Sequence, residues 1–325
     1  MKVCVFGAGA IGGLIASRLA QQTAAEVSVI ARGPHLEAIR RNGLVLRTGG
    51  SESRVALRAA ADAAELGVQD VVIIAVKTCS LPASLAGMAP LIGPDTMVVP
   101  AMNGVPWWFF SGFGGALQGL PIEGIDPGGR IAAAIPERQV LGCVVYPTAF
   151  VAEPGVVQHT GRWDMHLGEP DGSLSARSGA LQALLESAGF SCKRTSEIRR
   201  EIWTKLIGNC SFNPVAALAQ APLDRLAADP DVVCLMRGLM LEVIAVGNAL
   251  GLDVAEDPDR RIDRMRTLGS IKPSMLQDLE GRRPMEHESL TGAVLAIGTR
   301  LGVEVPLIQA VHGLIRQRAN SMGLQ

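Results

Sequence analysis

The spacing of apolar residues along the chain changes character near residue 196. Before that point, short continuous apolar runs alternate with turns that contain glycine or proline, a pattern typical of buried strands in a parallel sheet. After it, apolar residues recur at the period of an α-helix and no strand pattern interrupts them. The pattern predicts two domains, an α/β domain over residues 1–196 and an all-helical domain over residues 197–325.

The elements expected in each domain follow from these runs. The clearest strands are residues 2–6, 26–30, 70–77 and 96–104. Later runs are expected to extend the same sheet with antiparallel strands, at residues 140–146, 153–160 and 164–169, after which a helix at 175–188 leads to an edge strand near 190–193. In the second domain we expect helices at residues 197–212, 231–250, 258–267, 274–281, 285–301 and 306–321.

A glycine-rich motif follows the first strand directly. Gly7, Gly9 and Gly12 have the spacing GxGxxG, and a helical run begins at Gly13. In this order of strand, glycines and helix, the first glycine permits a tight turn, the second lets the backbone approach a pyrophosphate, and the third lets helix and strand pack closely. The alternative is a glycine-rich turn without a ligand, which the position after a terminal strand disfavours. We therefore predict a Rossmann-type, doubly wound sheet that binds a dinucleotide.

The residue after the second strand bears on the choice of cofactor. Ala31-Arg32 stands where a site that prefers NAD usually carries an acidic residue for the ribose hydroxyls. A guanidinium can hydrogen-bond a 2′-phosphate with two N–H groups, whereas a carboxylate would repel it. Arg32 therefore favours NADP(H), and an exposed loop arginine is the alternative.

Two further polar residues follow apolar strands. Lys77 ends the run at 70–77, and Asn103 lies near the end of the run at 96–104. Ligands of open α/β sheets lie beyond the carboxyl ends of the strands, so both side chains are expected to face the cofactor. The alternatives are a solvated lysine and a turn formed by Asn103 with Gly104.

Composition narrows the class of partner. The 325-residue chain is 48% apolar and 19% charged, with a net charge of −1 and no run of basic residues. This composition favours a small-molecule ligand over nucleic acid or a membrane, and a cytoplasmic protein. Its six cysteines are scattered without the spacing of a zinc site, so we expect reduced thiols and no metal site.

Polar residues recur at a regular interval where the helical domain begins. Glu201, Lys205, Asn209 and Asn213 lie four apart in EIWTKLIGNCSFNP, residues 201–214. On a helix this spacing forms one slowly drifting stripe at the edge of the apolar face, where amides cost stability unless they are hydrogen-bonded. Two interpretations stay open, a stripe that faces a ligand and a surface Glu–Lys pair with asparagines that cap turns near the proline.

The remaining features have structural and functional interpretations side by side. The run WWFFSGF at residues 107–113 begins a long loop that could line a pocket or pack against the protein. His159 and His166 alternate with apolar residues and are expected to be structural.

Four segments together resemble the ketopantoate reductase family (2-dehydropantoate 2-reductase): GAGAIGG, AMNG, WTKLIGNCSFNP and SMLQDLEGRRPME. The resemblance spans most of the chain. It implies an NADPH-dependent enzyme with a Rossmann-type domain and a helical domain, which reduces a 2-keto acid, ketopantoate, to the 2-hydroxy acid. The helical second domain is compatible with a homodimer.

The resemblance also implies a role for each matching residue. Lys205 would be the catalytic acid, and Glu286 would orient substrate and lysine. The substrate-binding residues implied are Asn209, Asn213, Ser274 and Asn103. The cofactor-binding residues implied are Gly7, Ala8, Gly9, Ala10, Ile11, Gly12, Arg32, Lys77 and Asn103.

Some of these residues have plainer explanations, and the sequence departs from the family in places. Ser274 could cap the following helix, and Glu286 could simply favour a helix N-terminus. Ile271 stands where the family carries a polar substrate-binding residue, and Lys272-Pro273 and the aromatic loop are further departures. A reductase of a different 2-oxo compound and a non-catalytic NADP(H)-binding regulator therefore remain alternatives.

Overall fold

The computed structural model describes residues 1–324, which form two compact units. The N-terminal unit comprises residues 1–102, 108–121 and 128–198. The C-terminal unit comprises residues 103–107 and 122–127 together with the chain from residue 199 onward. Two short segments from the first half of the chain thus belong to the helical unit.

A five-stranded parallel sheet forms the centre of the N-terminal unit. Its strands are β1 (Lys2–Phe6), β2 (Glu26–Ile30), β5 (Arg58–Ala60), β6 (Val71–Ile74) and β7 (Met97–Pro100). Their order is β5-β2-β1-β6-β7, so the chain reverses direction across the sheet between β1 and β6. The helices in this unit are α1 (Ala10–Gln22), α2 (Gly33–Asn42), α3 (Leu81–Met88), α4 (Arg130–Ala134) and α5 (Ala176–Ser187). This parallel sheet with its helices confirms the predicted α/β class. Ligands of such sheets lie where the strand order reverses, which here is between β1 and β6.

The later strands lie in two separate sheets, and a parallel bridge between Val98 and Val140 links the start of the run at 140–146 to β7. The prediction that they extend the central sheet as antiparallel strands was wrong. One separate sheet has the order β4-β3-β10-β9, with β3 (Leu44–Thr48), β4 (Ser51–Val55), β9 (Thr148–Glu153) and β10 (Val156–Gly161). Another has the order β12-β11-β8, with β8 (Gly142–Val145), β11 (Asp164–Gly168) and β12 (Ser191–Arg194). Strand β10 runs parallel to β3 and pairs with it in the register Val156–Val45. The hairpin of β9 and β10 therefore lies beside β3 and not in the central sheet.

The aromatic run of residues 107–113 mostly forms a packed cluster. Trp108, Phe109 and Phe110 are each at most 1% exposed. The ring centroids of Phe109 and Phe110 are 5.1 Å apart at a steep angle, and those of Phe110 and Phe113 are 5.2 Å apart. Edge-to-face contacts of this kind stabilise a core. Packing is thus the role that the structure shows for these three buried rings.

The C-terminal unit is built from helices. They are α6 (Ile198–Ala219), α7 (Leu223–Ala228), α8 (Pro230–Ala249), α9 (Pro258–Thr267), α10 (Ser274–Glu280), α11 (Ala293–Leu301) and α12 (Pro306–Met322). A π-helical turn, Glu288–Gly292, leads into α11. The helical class predicted for this part of the chain is confirmed.

Helix α6 is longer than its sequence predicts. The expected end at residue 212 was wrong, because the helix continues through Pro214 to Ala219. A proline inside a helix removes one hydrogen bond and costs about 3 kcal/mol. Val215, Ala216 and Ala217 are at most 5% exposed, and their burial offsets that cost.

Helix α8 is long and apolar enough to cross a membrane by length and composition alone, with a mean hydropathy of 1.7. Two of its three charged side chains contact other helices. Arg237 pairs with Asp259 of α9 at 3.0 Å, and the Glu242 carboxylate accepts hydrogen bonds from the backbone N–H groups of Leu307 and Ile308 at 2.9 and 2.8 Å. The carboxylate thus caps the N-terminus of α12, which is the contact expected of a helix packed among others.

Candidate active site

The glycine motif adopts the conformation that its spacing predicts. Gly7 has a φ of +103°, and a Cβ there would lie 2.7 Å from Val76 Cγ1. A Cβ at Gly12 would lie 1.9 Å from the Gly7 carbonyl oxygen. At Gly9, by contrast, a Cβ would meet no atom within 4 Å. Two glycines are therefore required by close packing, and the third keeps the surface open to a ligand.

This open position lies at the start of helix α1. Gly9 is exposed and is the N-cap of the helix, and no side chain caps it. Ala8 is buried behind the loop, whereas Ala10 and Ile11 are half-buried. Unpaired N–H groups at a helix N-terminus bind phosphate oxygens. The backbone from Gly7 to Gly12 thus fits the pyrophosphate of a dinucleotide.

Arg32 and Lys77 flank this loop within the N-terminal unit. The backbone N–H groups of Gly7 and Ala8 both donate to the carbonyl of Ile30 at 3.1 Å, so the loop lies against the end of β2. Arg32 follows two residues later as the exposed N-cap of α2, and among residues 1–324 its guanidinium has no hydrogen-bond or ion-pair partner. Lys77 is half-buried directly after Val76, the residue that would contact a side chain at position 7.

One residue of this region was missed by the sequence analysis. His35 Nε2 lies 2.7 Å from the Ala8 carbonyl oxygen, and its Nδ1 accepts a hydrogen bond from the Gly155 N–H at 3.0 Å. Nε2 therefore carries the proton and donates it to Ala8. His35 links the glycine loop to α2 and to the turn between β9 and β10. A histidine far from both partners in sequence gives no spacing that would predict this contact.

In the C-terminal unit, Lys205 and Asn103 are brought together. The Lys205 ammonium donates a hydrogen bond to Asn103 Oδ1 at 2.7 Å, although the two residues are 102 positions apart. Lys205 lies on α6, and Asn103 begins one of the two short segments that join this unit. The amide oxygen thus positions the end of the lysine side chain.

The segment that carries Asn103 is held tightly in place. The Val105 N–H donates to the Ser289 carbonyl at 2.8 Å. Gly104 has a φ of +85°, and a Cβ there would lie 2.5 Å from the same carbonyl oxygen. A glycine is therefore required at position 104. The turn formed with Gly104 and the predicted role of Asn103 are thus compatible, because the turn places Asn103 beside Lys205.

Asn209 and Asn213 lie inside α6 and cap no turn, so that alternative was wrong. Asn213 is buried, and its Nδ2 donates to Ser274 Oγ at 3.4 Å. Asn209 is half-buried, and within residues 1–324 its side chain has no hydrogen-bond partner. Ser274 is the first residue of α10, whose N-cap is Pro273 without a side-chain cap. The serine hydroxyl thus contacts the asparagine rather than the backbone of its own helix.

Glu286 lies next to the segment of Asn103. It is half-buried, and its backbone carbonyl accepts a hydrogen bond from Ser289 Oγ at 3.3 Å. Ser289 is also the residue on which Gly104 and Val105 pack. Glu286, Asn103 and Lys205 are therefore connected through adjacent contacts of one unit.

Two of the departures near Ser274, Ile271 and Lys272, are on the surface, whereas Pro273 is buried. Ile271 is 44% exposed. The Lys272 ammonium binds both oxygens of the Glu280 carboxylate at 2.8 and 2.9 Å. Lys272 is thus held in an exposed ion pair.

The arrangement supplies a cation and several amide groups to a polar ligand. An ammonium carries three N–H donors, of which one is directed to Asn103, and a side-chain amide both donates and accepts. Such groups can bind a carbonyl oxygen and a carboxylate while supplying a proton.

Comparison with known proteins agrees with this geometry. Residues 3–106 match the model of the ketopantoate reductase PanE/ApbA family, and residues 197–319 match the model of the PanE/ApbA C-terminal domain. A 2-dehydropantoate 2-reductase of Mesorhizobium japonicum is 45% identical, over 99% of both chains.

Solved structures show the same fold. A protein of Ralstonia solanacearum MolK2 assigned to the ketopantoate reductases is 44% identical, with a TM-score of 0.94 over 100% of this chain and 99% of that chain. A 2-dehydropantoate 2-reductase of Geobacter metallireducens GS-15 is 28% identical, with a TM-score of 0.87 over 98% and 99% of the two chains. The chain belongs to the ketopantoate reductase PanE/ApbA family of NAD(P)-dependent oxidoreductases.

Proposed function

We propose that the protein reduces ketopantoate (2-dehydropantoate) to pantoate with NADPH, and that Lys205 is the proton donor. The observation that carries the proposal is the 2.7 Å hydrogen bond from the Lys205 ammonium to Asn103 Oδ1. It holds the cationic end of Lys205 next to a side-chain amide within the C-terminal unit. The names of the relatives support the choice of substrate.

Reduction of a 2-keto acid requires a hydride and a proton. A dinucleotide held by the backbone from Gly7 to Gly12 would supply the hydride to the keto carbon. Lys205 polarises the carbonyl by donating a hydrogen bond to its oxygen, and then transfers a proton to the alkoxide that forms. The product is the 2-hydroxy acid, and the lysine regains its proton from solvent.

The neighbouring polar residues bind and orient the substrate. Asn209 has an amide without a hydrogen-bond partner in the described chain, and Asn213 and Ser274 lie within 3.4 Å of each other. These groups suit the hydroxyl and carboxylate of a short polar acid, because each can donate a hydrogen bond. Glu286, on the segment next to Asn103, orients the substrate and the lysine. Fixing the substrate in one orientation lowers the barrier to hydride transfer.

Lysine variants test the proton donor. Lys205→Ala should lower kcat by at least about 100-fold while the Kd for NADPH stays nearly unchanged. Lys205→Arg keeps a positive charge but not a group that releases a proton, so its kcat should also fall. Lys193→Ala, at an exposed position of β12, is the matched control and should keep the wild-type rate. A normal rate in Lys205→Arg would leave polarisation in place and refute proton donation.

A substrate panel tests the reaction. NADPH oxidation is followed with ketopantoate and with a series of smaller and bulkier 2-keto acids. A kcat/KM for ketopantoate that exceeds the others by orders of magnitude supports the proposal. Preference for another 2-oxo compound refutes the substrate, and tight NADPH binding without turnover on any carbonyl compound would favour a regulator.

The cofactor preference is tested at Arg32. Its guanidinium is exposed beside the glycine loop and has no partner in the described chain, so it can bind a 2′-phosphate. Arg32→Asp should raise the KM for NADPH and lower the ratio of NADPH to NADH activity. Arg41→Asp, an exposed residue of the last turn of the same helix, makes the same change in charge and should leave the ratio unchanged. An unchanged ratio in Arg32→Asp would refute the assignment of the 2′-phosphate.

A further inference from the structure

A cluster outside the proposed catalytic residues has the chemistry of a metal site. It consists of His287, Glu288 and His312, and one ligand atom of each lies within 4.8 Å of the other two. His287 Nδ1 is 3.3 Å and His312 Nε2 is 3.7 Å from the same carboxylate oxygen, Oε1 of Glu288. Two imidazole nitrogens thus converge on one oxygen.

The hydrogen bonds around His312 determine which nitrogen is available. The Thr291 hydroxyl donates its proton to the His287 carbonyl at 3.2 Å. It must therefore accept from His312 Nδ1, which is 3.0 Å away. In the neutral ring Nε2 is then unprotonated, and its lone pair faces the carboxylate.

His287 adds a second nitrogen that lacks a partner. The residue is 6% exposed, and its Nδ1 is buried without a hydrogen bond in the described chain. The contact with Glu288 has the distance of an ion pair but not the geometry of a hydrogen bond. An unsatisfied buried nitrogen costs about 1 to 3 kcal/mol. A ligand at this position would remove that cost.

The carboxylate of Glu288 is fixed from two sides and accessible from a third. A Cβ at Gly292 would lie 2.6 Å from its Oε2, and one at Gly124 would lie 2.8 Å from the same atom. Both glycines therefore leave room for the carboxylate. The Glu288 side chain is 40% exposed, whereas those of the two histidines are at most 8% exposed. An ion can reach the cluster from the solvent beside Glu288.

We propose that His287, Glu288 and His312 form a binding site for a borderline divalent transition metal ion, with Zn²⁺ the preferred species. Two imidazoles and one carboxylate are a common set of three protein ligands for zinc, with water as the fourth. Bond lengths of about 2.0 to 2.2 Å place neighbouring ligand atoms of a tetrahedral site about 3.4 Å apart. The two distances to Oε1 are close to that value, and the two histidine nitrogens lie within 4.8 Å of each other.

Such an ion would join the π-helical turn to α12. His287 and Glu288 lie at the start of that turn, and His312 lies in the middle of α12. π-helical turns are frequent at functional sites. One opposing charge is present, because Arg316 interacts electrostatically with both Glu288 and His312. The competing explanation is that the cluster holds a proton and no metal.

Zinc binding is measured on the full-length chain after treatment with a chelator. Equilibrium dialysis with ZnCl₂ alone, followed by elemental analysis, gives the stoichiometry, and thermal unfolding with and without zinc gives the stabilisation. Co²⁺ serves as a spectroscopic probe, because its visible absorption reports coordination by protein ligands. None of these readouts depends on activity.

Four variants distinguish the two explanations. Glu288→Gln and His312→Gln should each weaken zinc binding by on the order of 100-fold or more. Arg316→Gln removes a positive charge from an exposed position and should tighten it. His166→Asn, which changes a histidine of the N-terminal unit, is the matched control and should bind zinc as the wild type does.

One equivalent of zinc per chain, with a raised Tm and the ranking above, supports the proposal. No stoichiometric binding by the wild-type protein overturns it, as does unchanged affinity in Glu288→Gln. If Glu288→Gln and His312→Gln fail to fold, the zinc affinity of Arg316→Gln and the Co²⁺ absorption of the wild-type protein still test the proposal. Absence of protein-bound Co²⁺ absorption, together with unchanged zinc affinity in Arg316→Gln, would leave the proton as the occupant.

Discussion

Substitution of Gly12 by alanine should displace the glycine loop and lower the free energy of unfolding. The added Cβ would lie 1.9 Å from the Gly7 carbonyl oxygen, 1.5 Å closer than the 3.4 Å at which ordinary contacts begin. It would also lie 2.9 Å from Ala75 Cβ and 3.0 Å from Val5 Cγ1, both of which are held by the central sheet. No flexible side chain can move aside, so the backbone must shift.

The expected cost follows from two opposing effects. Alanine is favoured over glycine inside a helix by about 1 kcal/mol. Overpacking in a rigid core costs about 1 to 3 kcal/mol and more when the backbone must move. The overlap with a carbonyl oxygen puts Gly12→Ala at the upper end, so we expect a net loss of about 2 kcal/mol. For a unit of this size that loss lowers the Tm by about 4 to 8 °C.

Gly9→Ala is the matched control, since a Cβ there meets no atom within 4 Å. Its free energy of unfolding should change by less than about 1 kcal/mol, the cost of alanine at an N-cap. The Kd for NADPH should nevertheless rise on the order of tenfold, because a methyl group would stand where the pyrophosphate approaches the backbone. Urea unfolding and NADPH fluorescence titration measure the two effects. Wild-type stability in Gly12→Ala, or wild-type NADPH affinity in Gly9→Ala, would refute this explanation of the motif.

Three further predictions follow from contacts elsewhere. Glu242→Gln should lower the free energy of unfolding by about 1 kcal/mol, because the amide caps α12 less well than the carboxylate does; equal urea midpoints would contradict it. A thiol reagent should label Cys79 and Cys234 rapidly in the native protein and the four buried cysteines only after unfolding; fast labelling of more than two thiols would contradict it. His35→Phe should raise the KM for NADPH about 5- to 30-fold and leave kcat nearly unchanged, since one or two hydrogen bonds that hold the glycine loop are lost.

Local sequence was sufficient to predict the structure where residues adjacent in the chain determine the backbone geometry. The turn at Gly7 and the close approach at Gly12 follow from a strand, a glycine motif and a helix that are adjacent in the chain. The helical unit follows from the spacing of apolar residues alone. In both cases neighbouring residues supply the contacts that fix the conformation.

Sequence was insufficient where distant strands compete for partners. Nothing in the run at 153–160 shows that β10 pairs with β3, more than 100 residues earlier, rather than with the central sheet. The continuation of α6 through Pro214 has the same origin, because burial of the next turn by other helices outweighs the local cost. Local preference predicts an end, and tertiary packing removes it.

The polar cluster of the C-terminal unit depends on both kinds of information. The interval of four residues from Lys205 to Asn213 could be derived from helical geometry, but two of the stripe's observed partners, Asn103 and Ser274, are 102 and 61 positions away. Asn103 reaches Lys205 because Gly104, at a φ of +85°, lets the chain pack against Ser289. A larger residue at position 104 would displace the Asn103 amide from the Lys205 ammonium without altering either of these side chains. The position of Asn103 beside Lys205 therefore depends on Gly104, and only the folded structure shows that a glycine is required there.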